Sequence, residues 1–171
     1  MEIKIVGDLM IPMEKYPYVS HWTTIRQTME TMEKAVFEVG DRKSLARVAL
    51  VFDEQYKLLG MVRRRDILRS MEPDFLVGQL ALAFKETPVK PGQPLAFPDK
   101  LEAFVKKQLE QPVSTIMKRI NTAVDYDDNI VEVAARMVAA DQSLLPVLRK
   151  GEVVGVIRTV ELIHQLALSG T

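Results

Sequence analysis

Three arginines followed by an acid, Arg63-Arg64-Arg65-Asp66, are the residues of this chain best suited to recognising a ligand. They stand where one apolar run ends at Val62 and another begins at Ile67, the pattern of a strand turning into a helix. A helix start offers unbonded backbone N–H groups and partial positive charge, and an arginine adds a forked donor, so phosphate is a fitting ligand. An acid one turn in is placed to accept from a ribose diol while the arginines meet the phosphate. The competing reading is a solvated face whose charges pair with Asp66, with Glu54 or with another chain. Arg158, Thr159 and Glu161 hold matching places later in the chain, and there Arg158 and Glu161, three apart, are able to neutralise each other for about 0.2–0.5 kcal/mol.

Other chemistry is sparsely represented. His21 and His164 are the only histidines, and neither has a carboxylate or second histidine at ligand spacing, so no metal site is expected. His21 beside Trp22 reads as surface or packing. No HExxH, GxxxxGK[ST] or GxSxG occurs, and no catalytic residue is assigned. The acids of Asp125-Tyr126-Asp127-Asp128 read as a turn that caps a helix and not as a cation site. There is no cysteine, which excludes a disulfide framework and a thiolate metal site. Lysine plus arginine number 23, as do aspartate plus glutamate, so no net field draws nucleic acid or an anionic membrane. No window approaches the roughly 18 uncharged apolar residues of a membrane span, and the start MEIKIVGDLM does not read as a secretory signal. A cytoplasmic protein is expected.

The elements that position these residues come in duplicate. GMVRRRDIL at Gly60 to Leu68 returns as GVIRTVELI at Gly155 to Ile163, with glycine, apolar pair, arginine, acid and final apolar pair in the same places. Before each lies a hairpin pattern: Val48 to Phe52, DEQYK, Leu58-Leu59; and Leu144 to Leu148, RKGE, Val153-Val154. Further upstream Val6-Gly7-Asp8-Leu9-Met10 matches Val113-Ser114-Thr115-Ile116-Met117. Val19, Ile25, Met29 and Met32 match Val124, Ile130, Ala134 and Met137. Such a repeat is a duplicated α/β unit.

Taken in order, Tyr18-Val19 is a short strand and Thr23 or Thr24 caps a helix whose face is Ile25, Met29, Met32 and Val36. Phe37 to Leu45 is extra length in the first copy and reads equally as a turn, a hairpin or a loop. After Asp66 a helix face of Ile67, Leu68 and Met71 is expected. Residues 73–112, with Phe75 to Phe84, the breaker cluster Thr87 to Pro94 and a periodic stretch from Pro98, read as helical linker packed on the repeats. Ile120 to Val124 reads as a strand, and Asp128 or Asn129 caps a helix with Ile130, Val133, Ala134, Met137 and Val138 on one face. The last helix is expected to bury Leu162, Ile163, Leu166 and Leu168. The class is therefore α+β: a first repeat in 1–72, linker in 73–112 and a second repeat in 113–171, each βαββα. A three-stranded sheet with helices on one side leaves the other side bare, so two pseudo-symmetric units should pack sheet to sheet.

With GMVRRRDIL, GVIRTVELI and the paired VGDLM and VSTIM openings, the chain resembles a tandem pair of cystathionine-β-synthase domains, the Bateman module. In that family the strand-to-helix junction commonly reads glycine, apolar, any, threonine or serine, any, any, aspartate, and the aspartate holds the ribose of an adenosine-type ligand. The resemblance places Asp66 on the ribose-binding aspartate, Gly60 on the glycine and Arg63 on the hydroxyl residue; with the ribose on Asp66, the phosphates are expected toward Arg63 or Arg64. In the second copy Arg158 and Glu161 depart from the motif, with Thr159 between them, and on this pattern a vestigial second site is expected. The resemblance also implies contacts from Tyr18, Val19 and Phe52 in the first copy, and from Ala123, Val124, Pro146 and Val147 in the second.

It further implies a regulatory module without catalysis, binding AMP, ADP, ATP or S-adenosylmethionine and acting through a protein partner, since the repeats fill the chain. Family modules pair into disc-like dimers, so a homodimer is expected. The alternative is a ligand-free interaction protein whose arginines form salt bridges.

Overall fold

The structure, a computed structural model, describes residues 4–39, 41–72 and 98–169. The first repeat begins with β2 (Tyr18–Ser20) and α1 (Ile25–Lys34), continues through β3 (Val36–Val39) and β4 (Arg42–Leu45), and ends with β5 (Val48–Phe52), β6 (Leu58–Arg63) and α2 (Arg64–Ser70). The helix α3 (Pro98–Leu109) precedes the second repeat, which comprises β8 (Val124–Asp125), α4 (Ile130–Ala140), β9 (Leu144–Arg149), β10 (Glu152–Arg158) and α5 (Thr159–Ser169). Two further short strands, β1 (Ile11–Pro12) and β7 (Lys118–Arg119), belong to the opening segments of the first and second repeat. Leaving out β3 and β4, both repeats are βαββα, and the fold is the pseudo-symmetric pair the repeat predicts.

The sheets have matching orders, β2-β5-β6-β7 and β8-β9-β10-β1. In each the first strand is parallel to the second, and the hairpin is antiparallel. The fourth strand comes from the other repeat's opening segment, so the two openings are exchanged. Val6 is buried in the second repeat's core and donates its N–H to Asp128 O at 2.9 Å, while Val113 is buried in the first and donates to Thr23 O at 2.7 Å. The repeated glycines allow this. β1 and β7 cross directly over Gly155 and Gly60, where a Cβ would press into the carbonyl oxygens of Ile11 and Lys118.

Alternation on the strands divides the interior into three clusters. Val48, Leu50 and Phe52 of β5 point into a core shared with Leu144 and Val156 of the second repeat, so the sheets do pack face to face. Ala49 and Val51 point the other way, to Ile25, Met32 and Ile67 on the helices. Leu145, Val147 and Ile157 do the same under Ile130, Met137 and Leu162. A strand covered on both faces reads as an unbroken apolar run, as VALVF does.

Several expectations are corrected. The helix α1, capped by Thr24, whose side chain accepts from Gln27 N–H at 3.1 Å, stops at Lys34; Val36 is therefore on β3 and exposed. Its buried face is Ile25, Thr28 and Met32, with Met29 outside. Ile120 to Val124 is not one strand, because β7 ends at Arg119 and β8 begins at Val124. Leu68, Ile163, Leu166 and Leu168 are exposed, since only one narrow stripe of each terminal helix meets its sheet. Asn129 caps α4, accepting from Val131 N–H at 2.8 Å. The stretch Phe75 to Phe84 and the breaker cluster Thr87 to Pro94 lie outside the described residues. The part of the linker that is described does pack on the first repeat, through Leu109 and an Arg26–Glu110 ion pair at 2.7 Å.

Candidate functional site

At the first junction β6 delivers Arg63 and α2 begins one residue later. Asp66 sits in the first turn, where its carboxylate accepts from Arg63 N–H at 3.0 Å and satisfies one free donor of the helix start. The Arg63 guanidinium grips the same carboxylate as a fork, Nε to Oδ2 and Nη2 to Oδ1, both at 2.8 Å. Asp66 is 4% exposed. Burial alone would push its pKa up, but the hydrogen bonds from Arg63, with the charges of Arg63 and Lys118, outweigh it and hold the carboxyl below its ordinary value. Asp66 therefore lies behind Arg63, and the guanidinium faces outward.

In front of Arg63 lies a cavity of about 800 Å³ between the repeats. Its basic side is Arg47, Arg63, Arg64 and Arg65; Ala134, Met137 and Val138 of α4 with Leu162, Ile163 and Leu166 of α5 form an apolar wall. Asp141, Gln142, Ser143 and Thr159 supply polar groups, and Val48, Met61 and Leu144 line the side toward the inter-sheet core. Arg64 is engaged with Glu33 and donates Nε–H to Ala46 O at 3.3 Å. Arg47 and Arg65 are exposed and have no ion pair among the described residues. Two free forks beside a helix start, facing an apolar slab, can meet an anion on one side and a flat ring on the other.

The second junction has the same local chemistry in a different setting. Arg158 forks onto Glu161, with Nε to Oε2 at 3.0 Å and Nη2 to Oε1. Its remaining Nη1 donates to Ser44 Oγ at 3.0 Å, and the Phe37 ring covers it, centroid 4.9 Å from Cζ. Ser44 and Phe37 belong to the extra residues of the first repeat, which form the antiparallel hairpin β3–β4. Tyr16 packs on Phe37 with ring centroids 5.6 Å apart and donates its hydroxyl to Val48 O at 2.7 Å. Burial pushes the Tyr16 phenol well above its ordinary range, against the pull of Arg158. Arg158 is 9% and Glu161 3% exposed. The second repeat has no counterpart of the hairpin: Asp141, in a left-handed cap, Gln142 and Ser143 join α4 directly to β9.

The other sequence candidates are scattered. Thr159 lines the first cavity. Val48 pairs with Arg63 at one end of β5, whereas Phe52 pairs with Leu58 at the other. Phe52 there packs with Tyr18 and Tyr56 at centroid distances of 5.7 and 5.9 Å, and Val19 is buried under the helices. Pro146 is buried opposite Val156, and Ala123 is half-buried before β8. None of these five lines the cavity with Arg63. Arg47, Asp141 and Val138 do, and sequence reasoning did not place them there. Periodicity puts Val138 on the apolar face of α4 but does not show that it stands at the uncovered edge of that face, 83% exposed. Among the described residues no group of three His, Cys, Asp or Glu could hold a metal ion, and no helix is long and apolar enough to cross a membrane.

Comparisons with known proteins agree with this architecture. No curated protein matches the chain. A solved CBS domain-containing protein of unknown function from Bacillus anthracis str. Ames Ancestor is similar at 17% identity and TM-score 0.66, over 96% of this chain and 94% of its own. CBSX2 in complex with AMP is similar at 17% identity and TM-score 0.64, over 98% of both chains. The cytosolic domain of the Mg2+ channel MgtE in complex with ATP is similar at 20% identity and TM-score 0.59, over 96% of this chain and 49% of its own. The CBS domain model matches residues 6–73 and 113–168, the two repeats whose exchanged openings and facing sheets build the cleft, and the chain belongs to the CBS domain family.

Proposed function

We propose that this chain is a regulatory module that binds an adenine nucleotide in the cavity before Arg63 and makes or breaks no bond. The observation that carries this is the pairing of two unengaged arginines, Arg47 and Arg65, with the apolar wall of Ala134, Met137 and Val138 across the same cavity. The phosphates would meet Arg47, Arg65 and the free N–H groups of α2, and the base would lie on the wall. Swinging the Arg63 fork from Asp66 to a phosphate would release the carboxylate for the ribose hydroxyls. The surplus of arginine over acid favours AMP, ADP or ATP over S-adenosylmethionine, whose sulfonium is cationic. The solved relatives in complex with AMP and ATP support the same ligand class.

The exposed Leu68 of α2, Val131 of α4 and Val160 of α5, none of which lines the cavity, support association through the helices, either as a homodimer or with a regulated protein partner in the cytoplasm. A ligand-free scaffold is the second reading, favoured by the self-neutralised Arg63–Asp66 and Arg158–Glu161 pairs. Thermal melts with AMP, ADP, ATP and S-adenosylmethionine separate the two. A ligand at 100 times its Kd adds about 2.7 kcal/mol to the folded state. The proposal expects a rise with a nucleotide that Arg47→Glu/Arg65→Glu abolishes. Unmoved melts in the wild-type chain would leave the scaffold.

A further inference from the structure

The second cleft carries an occupant of its own. We propose that the hairpin β3–β4 fills the place of a ligand at the Arg158 junction, so that the chain offers one small-molecule site where its symmetry provides two.

Arg158 and Arg63 are equivalent: each ends the last strand of a repeat, three residues after the repeated glycine, and each forks onto the acid three residues later. Arg63 then opens on the cavity. Arg158 instead spends its last nitrogen on Ser44 Oγ and has its flat face covered by Phe37. A planar ring over the cation and a hydroxyl on the fork are the groups with which a nucleoside would approach the same arginine. Phe37 is 6% exposed, whereas its neighbours on β3, Val36 and Glu38, are exposed. The hairpin is a separate two-stranded sheet, paired to neither large sheet. A lone hairpin is marginally stable, so the buried Phe37 against Tyr16, the partly buried Val39 and the Ser44 bond together hold it over the junction.

The ligand class is taken from the proposed function, and the hairpin is tested apart from it. ADP is titrated calorimetrically into the wild-type chain, into Phe37→Ala/Ser44→Ala, and into both again carrying Arg47→Glu/Arg65→Glu to disable the first cavity. Far-UV circular dichroism confirms folding, and Phe37→Leu/Ser44→Ala replaces the first pair should that one unfold. The expected result is one binding event in the wild type and a second on loosening the hairpin, with that second event alone surviving in the charge-reversed background. An event that appears only on loosening the hairpin, with none in the wild type, upholds the hairpin's role and overturns the nucleotide reading of the first cavity. Two events in the wild type overturn the hairpin's role and leave that reading intact. An unchanged count on loosening the hairpin overturns its role.

Discussion

The two strand-to-helix junctions differ less in their own residues than in what stands before them. Arg63–Asp66 and Arg158–Glu161 are both bidentate pairs three residues apart, at the start of a helix fed by the last strand of a repeat. In the first pair the arginine side chain is 21% exposed and borders a cavity; in the second it is 10% exposed, beneath Phe37 and Ser44. The same local motif thus serves as the edge of an open cleft in one repeat and as a buried anchor for an inserted hairpin in the other. A motif sets which groups are present, and the neighbouring chain sets whether anything can reach them.

Removing each acid measures that difference most strongly. Glu161→Ala would leave Arg158 buried without its counter-charge, and a loss of about 3–5 kcal/mol is expected by urea denaturation. Asp66→Ala leaves Arg63 beside water in the cavity and should lose only about 1–3 kcal/mol. Equal losses would erase the contrast. The glycines provide the symmetric control: Gly60→Ala and Gly155→Ala each force a methyl onto an exchanged strand, and both should cost about 1–3 kcal/mol to a similar degree.

The contrast also has a pH signature. The Asp66 carboxyl is held below its ordinary value, so its contribution is fully present above the ordinary aspartate range, about pH 4. It is lost as pH falls through the lower folded-state value. Stability measured down through that window should therefore fall less steeply in Asp66→Asn than in the wild type. The smallest effect belongs to the surface: Arg26→Ala breaks a half-exposed pair with Glu110 and should change stability by no more than about 1 kcal/mol. A larger loss would mean that the helix before the second repeat is fastened more tightly than its contacts indicate.

The duplication was legible because it is written in spacing: Gly60 and Gly155, the two hairpins and the two capped helices all occupy equivalent places, and the facing sheets follow from burial. Periodicity also found the apolar side of each helix, but it could not say whether a partner covers that side. Val138, Ile163 and Leu166 were therefore counted as core, and they instead border the cavity. Phe37 to Leu45 gave no choice between hairpin and loop, since its burial depends on Arg158, far away in sequence. Position after the glycine singles out Asp66, whereas its capture by Arg63 depends on rotamers that spacing does not specify. Tyr18 and Phe52 belong to the site by family position, but Phe52 lies at the end of β5 away from Arg63, paired with Leu58, and the Tyr18 ring packs on it from β2.

Native mass spectrometry of the intact chain with AMP, ADP and ATP tests the inequality of the clefts most directly. A single nucleotide per chain is expected, with no second one added as the free concentration rises. Two nucleotides per chain would contradict the sealed second cleft, and none would contradict the open first one.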